Sequence, residues 1–129
     1  MEGLNYKDKI AILKLLSEIV YADNIVQDSE VTYMKEVVKS FGLNENYKSD
    51  VDDLMTLDAL SIIRELSIEQ KREVSKMMGK MIVVDGDINY NEVKLYNYFC
   101  QSCNIENDFN IEDYPNYTLS GPFINPEDL

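Results

Sequence analysis

Residues 67–84 read Ser67-Ile68-Glu69-Gln70-Lys71-Arg72-Glu73-Val74-Ser75-Lys76-Met77-Met78-Gly79-Lys80-Met81-Ile82-Val83-Val84. The first four residues are a helix-start signature. Ser67 can accept a hydrogen bond from the amide of Gln70, whose side chain can reach back to the amide of Ser67. Val74, Met77, Met78 and Met81 then recur at i, i+3, i+4 and i+7, the spacing of one helical face. The stretch predicts a helix near 68–84, and the same pattern stands earlier in the chain. Moved back by 62 residues, Ser67 to Ile105 overlays Asn5 to Leu43.

The overlay rests on pattern more than on identity. Lys9/Lys71, Lys14/Lys76, Asp23/Asp85, Glu30/Glu92, Val31/Val93 and Ser40/Ser102 are the same residue in both stretches. Apolar residues pair with apolar at Leu15/Met77, Leu16/Met78, Ile19/Met81 and Val20/Ile82, and again at Val37/Phe99 and Val38/Cys100. Asn5 matches Ser67, both good N-caps. Gly42 matches Asn104, the two residue types that tolerate the left-handed conformation at a helix end. Each stretch therefore reads as helix, short turn, helix, stop. The first helices are expected near 6–22 and 68–84, the second near 28–41 and 90–103. Between them, Thr56 reads as the cap of a further helix with Leu57, Leu60, Ile63 and Leu66 on one stripe. Asp50-Val51-Asp52-Asp53 would precede it, as negative charge favoured by the helix dipole. No segment shows sustained period-2 alternation. The fold class is all-α: a compact helical bundle with two pseudo-symmetric helix-turn-helix repeats.

The 129 residues suit one domain, and a hydrophobic share of 45% suffices for a core. We divide the chain into a helical domain, 1–105, and an acidic, Pro-containing tail, 106–129. The tail holds all three prolines, and its aromatics Phe109, Tyr114, Tyr117 and Phe123 are expected to pack on the bundle. The chain carries 24 acidic against 12 basic residues, a formal net charge of −12. That excludes nucleic acid as an expected partner, because phosphate binding needs a basic patch. It permits cations and basic protein partners. No transmembrane span is visible, so no membrane insertion is expected. The apolar run from Ile10 to Val20 is broken by Lys14 and Glu18 and reads as a mature helix rather than a signal peptide. Two cysteines without a secretory signal suggest a reducing, cytoplasmic setting.

There is no histidine. This removes the commonest general base near neutral pH and the commonest transition-metal ligand. A bound metal would be held by oxygen, which favours calcium, magnesium or manganese. Cys100-Gln101-Ser102-Cys103 has redox spacing but lacks the βαβ context, and its counterparts Val38 and Phe41 mark it as core. The methionines of 77–81 match Leu15, Leu16 and Ile19 and also read as core. No serine or cysteine has a histidine partner, so an enzyme is not expected.

The turns between paired helices hold the remaining chemistry. In Asp85-Gly86-Asp87-Ile88-Asn89-Tyr90-Asn91-Glu92, oxygen-bearing side chains alternate as in a calcium loop, but the glutamate comes seven residues after the first aspartate, not eleven. Two readings stay open. In the structural one, Asn89 caps the second helix with Glu92 completing a capping box, Gly86 turns the chain, and Ile88 and Val26 plug each hairpin into the core. That reading leaves Asp23 and Asp85 at helix C-termini, where the dipole disfavours them, so each asks for a cation, a lysine or an amide. In the metal reading, Asp85, Asp87, Asn89 and Glu92 supply oxygen in the second copy, and Asp23 and Glu30 in the first.

Tyr21-Ala22-Asp23-Asn24-Ile25-Val26-Gln27-Asp28-Ser29-Glu30 and Val84-Asp85-Gly86-Asp87-Ile88-Asn89-Tyr90-Asn91-Glu92 resemble the doubled A-D-G-x-I-x-x-x-E motif of TerB-like proteins. The resemblance covers residues 5–105. Asn24 replaces the first glycine and Val84 the second alanine. The resemblance implies an all-helical fold with internal pseudo-symmetry in an intracellular bacterial protein linked to tellurite resistance and stress. It implies no enzymatic activity. It also implies divalent-metal binding by the acidic motif residues, here Asp23, Glu30, Asp85 and Glu92, with Asp87 beside them. The alternative is a protein–protein interaction module whose turns are purely structural and whose acidic face or tail docks a basic partner.

Overall fold

The computed structural model describes residues 3–22 and 25–107, residue 113, and the backbone of 118–120. Six α-helices account for most of these: α1 (Tyr6–Val20), α2 (Asp28–Ser40), α3 (Tyr47–Asp53), α4 (Thr56–Arg64), α5 (Ile68–Val83) and α6 (Tyr90–Cys103). Two three-residue strands, β1 (Asp87–Asn89) and β2 (Thr118–Ser120), pair in parallel, Ile88 opposite Leu119. The chain is an all-α bundle with one small ladder at the turn between α5 and α6.

The helix starts are set locally. Asn5 accepts from the amide of Asp8 at 2.8 Å, and the Asp8 carboxylate accepts from the amide of Asn5 at 3.0 Å. Ser67 and Gln70 form the same reciprocal pair at 3.1 and 3.0 Å. The stops are set by handedness. Gly42 and Asn104 both take positive φ, +68° and +57°. Gly is at ease there, and Asn is among the few other residues that tolerate it. The helix starts agree at the 62-residue offset, Tyr6 with Ile68 and Asp28 with Tyr90, and the later helices end one residue further on.

The surroundings of the matched helices differ. α1 packs against all five other helices. It buries Ile10, Ile12, Leu13, Leu15, Leu16 and Ile19 around most of its circumference, as expected of a central helix. α5 packs on α1, α6 and β1. α6 buries Tyr96, Phe99, Cys100 and Cys103 at i, i+3, i+4 and i+7. Inside the core, Ser75 Oγ and the Tyr96 hydroxyl share a hydrogen bond of 2.7 Å that ties α5 to α6. At the surface, Lys80 of α5 lies over the Tyr33 ring of α2, 5.1 Å from its centroid.

Four expectations are corrected. The acidic run Asp50 to Asp53 precedes α4 as expected, but it belongs to a further helix, α3, that was not expected. Thr56 is the first residue of α4 rather than its cap. The cap position is Met55, and the Thr56 hydroxyl donates instead to Glu18 of α1 at 3.3 Å. The buried stripe of α4 is Ala59, Leu60 and Ile63, and Leu57 is 67% exposed. Val26 is not a core plug either. It is 43% exposed, whereas its counterpart Ile88, in the strand that pairs with β2, is 2% exposed. Within the tail, β2 pairs with β1. The tail's rings Phe109, Tyr114, Tyr117 and Phe123 lie outside the described residues.

Candidate functional site

Each acidic turn follows from its helix ends. Gly86 takes φ +80°, which turns the chain out of α5. Asp85 then accepts from the amide of Asp87 at 2.9 Å, so an amide of its own turn meets the charge that the end of α5 disfavours. Two residues on, Asn89 Oδ1 accepts from the amides of Asn91 at 2.9 Å and Glu92 at 3.3 Å and starts α6. At the first turn the carboxylate is the capping element. The amide of Gln27 donates to Glu30 Oε1 at 3.0 Å.

The matched glutamates share one property that the sequence did not reveal. Glu30 is 1% exposed and Glu92 3% exposed. They stand in the first turn of α2 and of α6, where the helix dipole favours negative charge. Asp85 and Asp87 are half-buried side by side in the second turn. Asp23 lies outside the described residues. Among the described residues, no three of His, Cys, Asp and Glu converge as a metal-holding group. The structure thus sets the Asp87 amide on the Asp85 carboxylate and buries Glu30 and Glu92 at their own helix starts.

Cys100 and Cys103 are buried and no disulfide joins them. The Cys103 thiol donates to the carbonyl of Leu60 at 3.5 Å. Burial, then the neighbouring Cys100, pushes its pKa up to about 11, which keeps it protonated and unreactive at neutral pH. Their reading as core residues therefore fits their surroundings.

A surface feature away from the turns was not anticipated. A groove of about 550 Å³ opens between the start of α1, the end of α3 and α4. Its apolar lining is Ile10, Leu54, Ile62 and the ring of Tyr6. Asp50, Asp53 and Asp58 stand around it with one cation, Lys7. The Tyr6 hydroxyl donates to Asp50, bridging α1 and α3, and this bond raises the Tyr6 pKa. The one hint in the sequence was the density of aspartates over 50–58. Their convergence on an apolar floor depends on how α3 and α4 pack on α1.

No family model matches the chain, and no curated protein matches it. Among solved structures, a protein of unknown function from Porphyromonas gingivalis W83 is similar, with a TM-score of 0.67 at 23% identity. The match covers 82% of this chain and 89% of that one. At that identity the likeness is one of fold alone. No helix among the described residues is long and apolar enough to cross a membrane.

Proposed function

We propose that the chain is a non-enzymatic, TerB-like interaction module that receives a basic segment of another protein, and that its acidic turns serve its own fold. The observation that carries this reading is the placement of Glu30 and Glu92. Both are buried in the first turn of a helix, and Glu30 accepts from the backbone amide of Gln27. The Glu30 carboxylate is used inside its own hairpin, and the burial of Glu92 withdraws it from the surface. The surface charge remains, at a net −12 over the chain, and basic chains are the partners it attracts.

The all-helical architecture and the matched helix starts are what the TerB-like resemblance implies, and an intracellular role in stress or tellurite resistance is proposed on that resemblance alone. The cytoplasmic setting belongs to the same proposal and rests on two buried cysteines that no disulfide joins.

The test pairs metal with a basic probe. Chelator, then millimolar calcium, magnesium or manganese, should leave the melting temperature unchanged. A basic Lys/Leu peptide should bind at low salt and release as salt screens the charges. A metal-dependent rise in melting temperature that vanishes in Asp85→Asn/Asp87→Asn would instead restore the divalent-cation reading.

A further inference from the structure

The groove between α1, α3 and α4 has two properties seldom found together. Its floor is apolar, made by Ile10, Leu54 and Ile62, and its walls carry three carboxylates against one lysine. Asp50 and Asp53 stand one helical turn apart on α3, an arrangement in which like charges repel. Asp58, in the first turn of α4, adds a third. Among the described residues none of the three is in an ion pair; the two ion pairs formed are Lys14–Glu18 and Lys76–Glu73. Exposed apolar residues also flank its lining in sequence. Met55 and Leu57, chain neighbours of the lining residues Leu54 and Asp58, are each 67% exposed. Two large apolar side chains left in water on either side of a tight helix junction fit a surface that a macromolecule covers.

Resting on the reading of the chain as a receiver of basic segments, we propose that this groove is where the segment docks, and that the segment is amphipathic. Its lysine or arginine stems lie on Ile10, Leu54 and Ile62, and its charged heads reach Asp50, Asp53 and Asp58. Long basic side chains suit this division because they bury their methylenes while keeping the charge at a polar rim. Met55 and Leu57 cover the apolar face of the same segment. A purely polar cation would leave the floor and these two residues wet. A neutral apolar chain would leave Asp53 and Asp58 without a counter-charge and Asp50 with the Tyr6 hydroxyl alone.

The test uses a fluorescent Lys/Leu peptide with one apolar face and a scrambled peptide of the same composition, read by anisotropy at low salt. The variant Asp50→Asn/Asp53→Asn/Asp58→Asn removes the rim charge. Met55→Ser/Leu57→Ser removes the exposed apolar pair without touching the core. Glu65→Gln/Glu69→Gln removes charge elsewhere. Exposed ion pairs each contribute about a factor of two, so losing three should weaken the amphipathic peptide about tenfold. The serine variant should also weaken it, the glutamine variant should not, and the scrambled peptide should bind poorly to every form. Equal weakening by the asparagine and glutamine variants, or equal binding of the scrambled peptide, would overturn the groove while leaving the basic-partner reading in place. No binding of either peptide to the unaltered chain would overturn both.

Discussion

Asn89→Ala isolates what the second turn does for the fold. The Asn89 side chain accepts two amides, those of Asn91 and Glu92, at 2.9 and 3.3 Å, and the residue is buried. Alanine keeps the backbone of β1 but leaves both amides of α6 without that oxygen. Removal of an N-cap costs about 1 kcal/mol, and a buried unsatisfied amide adds to it, so a loss of about 1–2 kcal/mol is expected. For a chain of 129 residues this lowers the melting temperature by about 3–10 °C. Gln27→Ala is the internal control. Gln27 holds the cap position of α2 at the 62-residue offset, but it is exposed and its side chain makes no cap hydrogen bond. Its truncation should cost less than about 0.5 kcal/mol. The assay is urea unfolding followed by far-ultraviolet circular dichroism, with the slope held constant so that a midpoint shift reports stability. Asn89→Ser, which retains a capping oxygen, should recover most of the loss. Equal shifts for Asn89→Ala and Gln27→Ala would refute the assignment of Asn89 as the cap that matters.

Further outcomes follow from burial and charge. Ile63→Ala, in the core, should cost about 2–5 kcal/mol in urea unfolding, whereas Leu57→Ala on the same helix should stay within about 0.5 kcal/mol. A thiol reagent at neutral pH should leave Cys103 unmodified in the native chain and label it on denaturation, since burial opposes its thiolate. The folded pKa of Cys103 lies near 11, above the ordinary 9.0, so its contribution to stability is complete below pH 9 and is lost as pH rises toward 11. That alkaline loss should be smaller in Cys103→Ala, as measured by urea midpoints at each pH. Gln27→Asn should raise stability by about 0.5–1 kcal/mol, because asparagine supplies the cap oxygen that glutamine does not.

The parts of the fold that were legible are those decided within a few residues. Ser67 with Gln70 announces a helix start, and Gly42 and Asn104 announce stops, because the bonds and dihedral angles involved are local. The 62-residue offset then carried those signals from one helix pair to the other. α3 was missed because it is short, and its cap residue, Asn46, sits in helical backbone without a side-chain bond. The register of α4 was misread because a tertiary bond won over a local one: the Thr56 hydroxyl turns to Glu18. The candidate turns were found in the sequence, yet the burial of Glu30 and Glu92 was not, since period and spacing do not say how far a helix start is driven into the bundle. Val26 and Ile88 looked equivalent for the same reason. They differ because Leu119 and its neighbours, far downstream of Ile88, lay a strand beside one turn.

That strand has a thermodynamic consequence. Thr118–Ser120 holds Asp87–Asn89 through main-chain bonds, and Asn89 in turn holds the start of α6. Occupancy of the ladder and integrity of the cap are therefore linked, and linkage runs both ways. Whatever lifts β2 from β1 loosens the α5–α6 elbow, and whatever strains the elbow weakens the grip on β2. The hinge-pin of the second hairpin thus lies far from it in the chain, beyond the last helix.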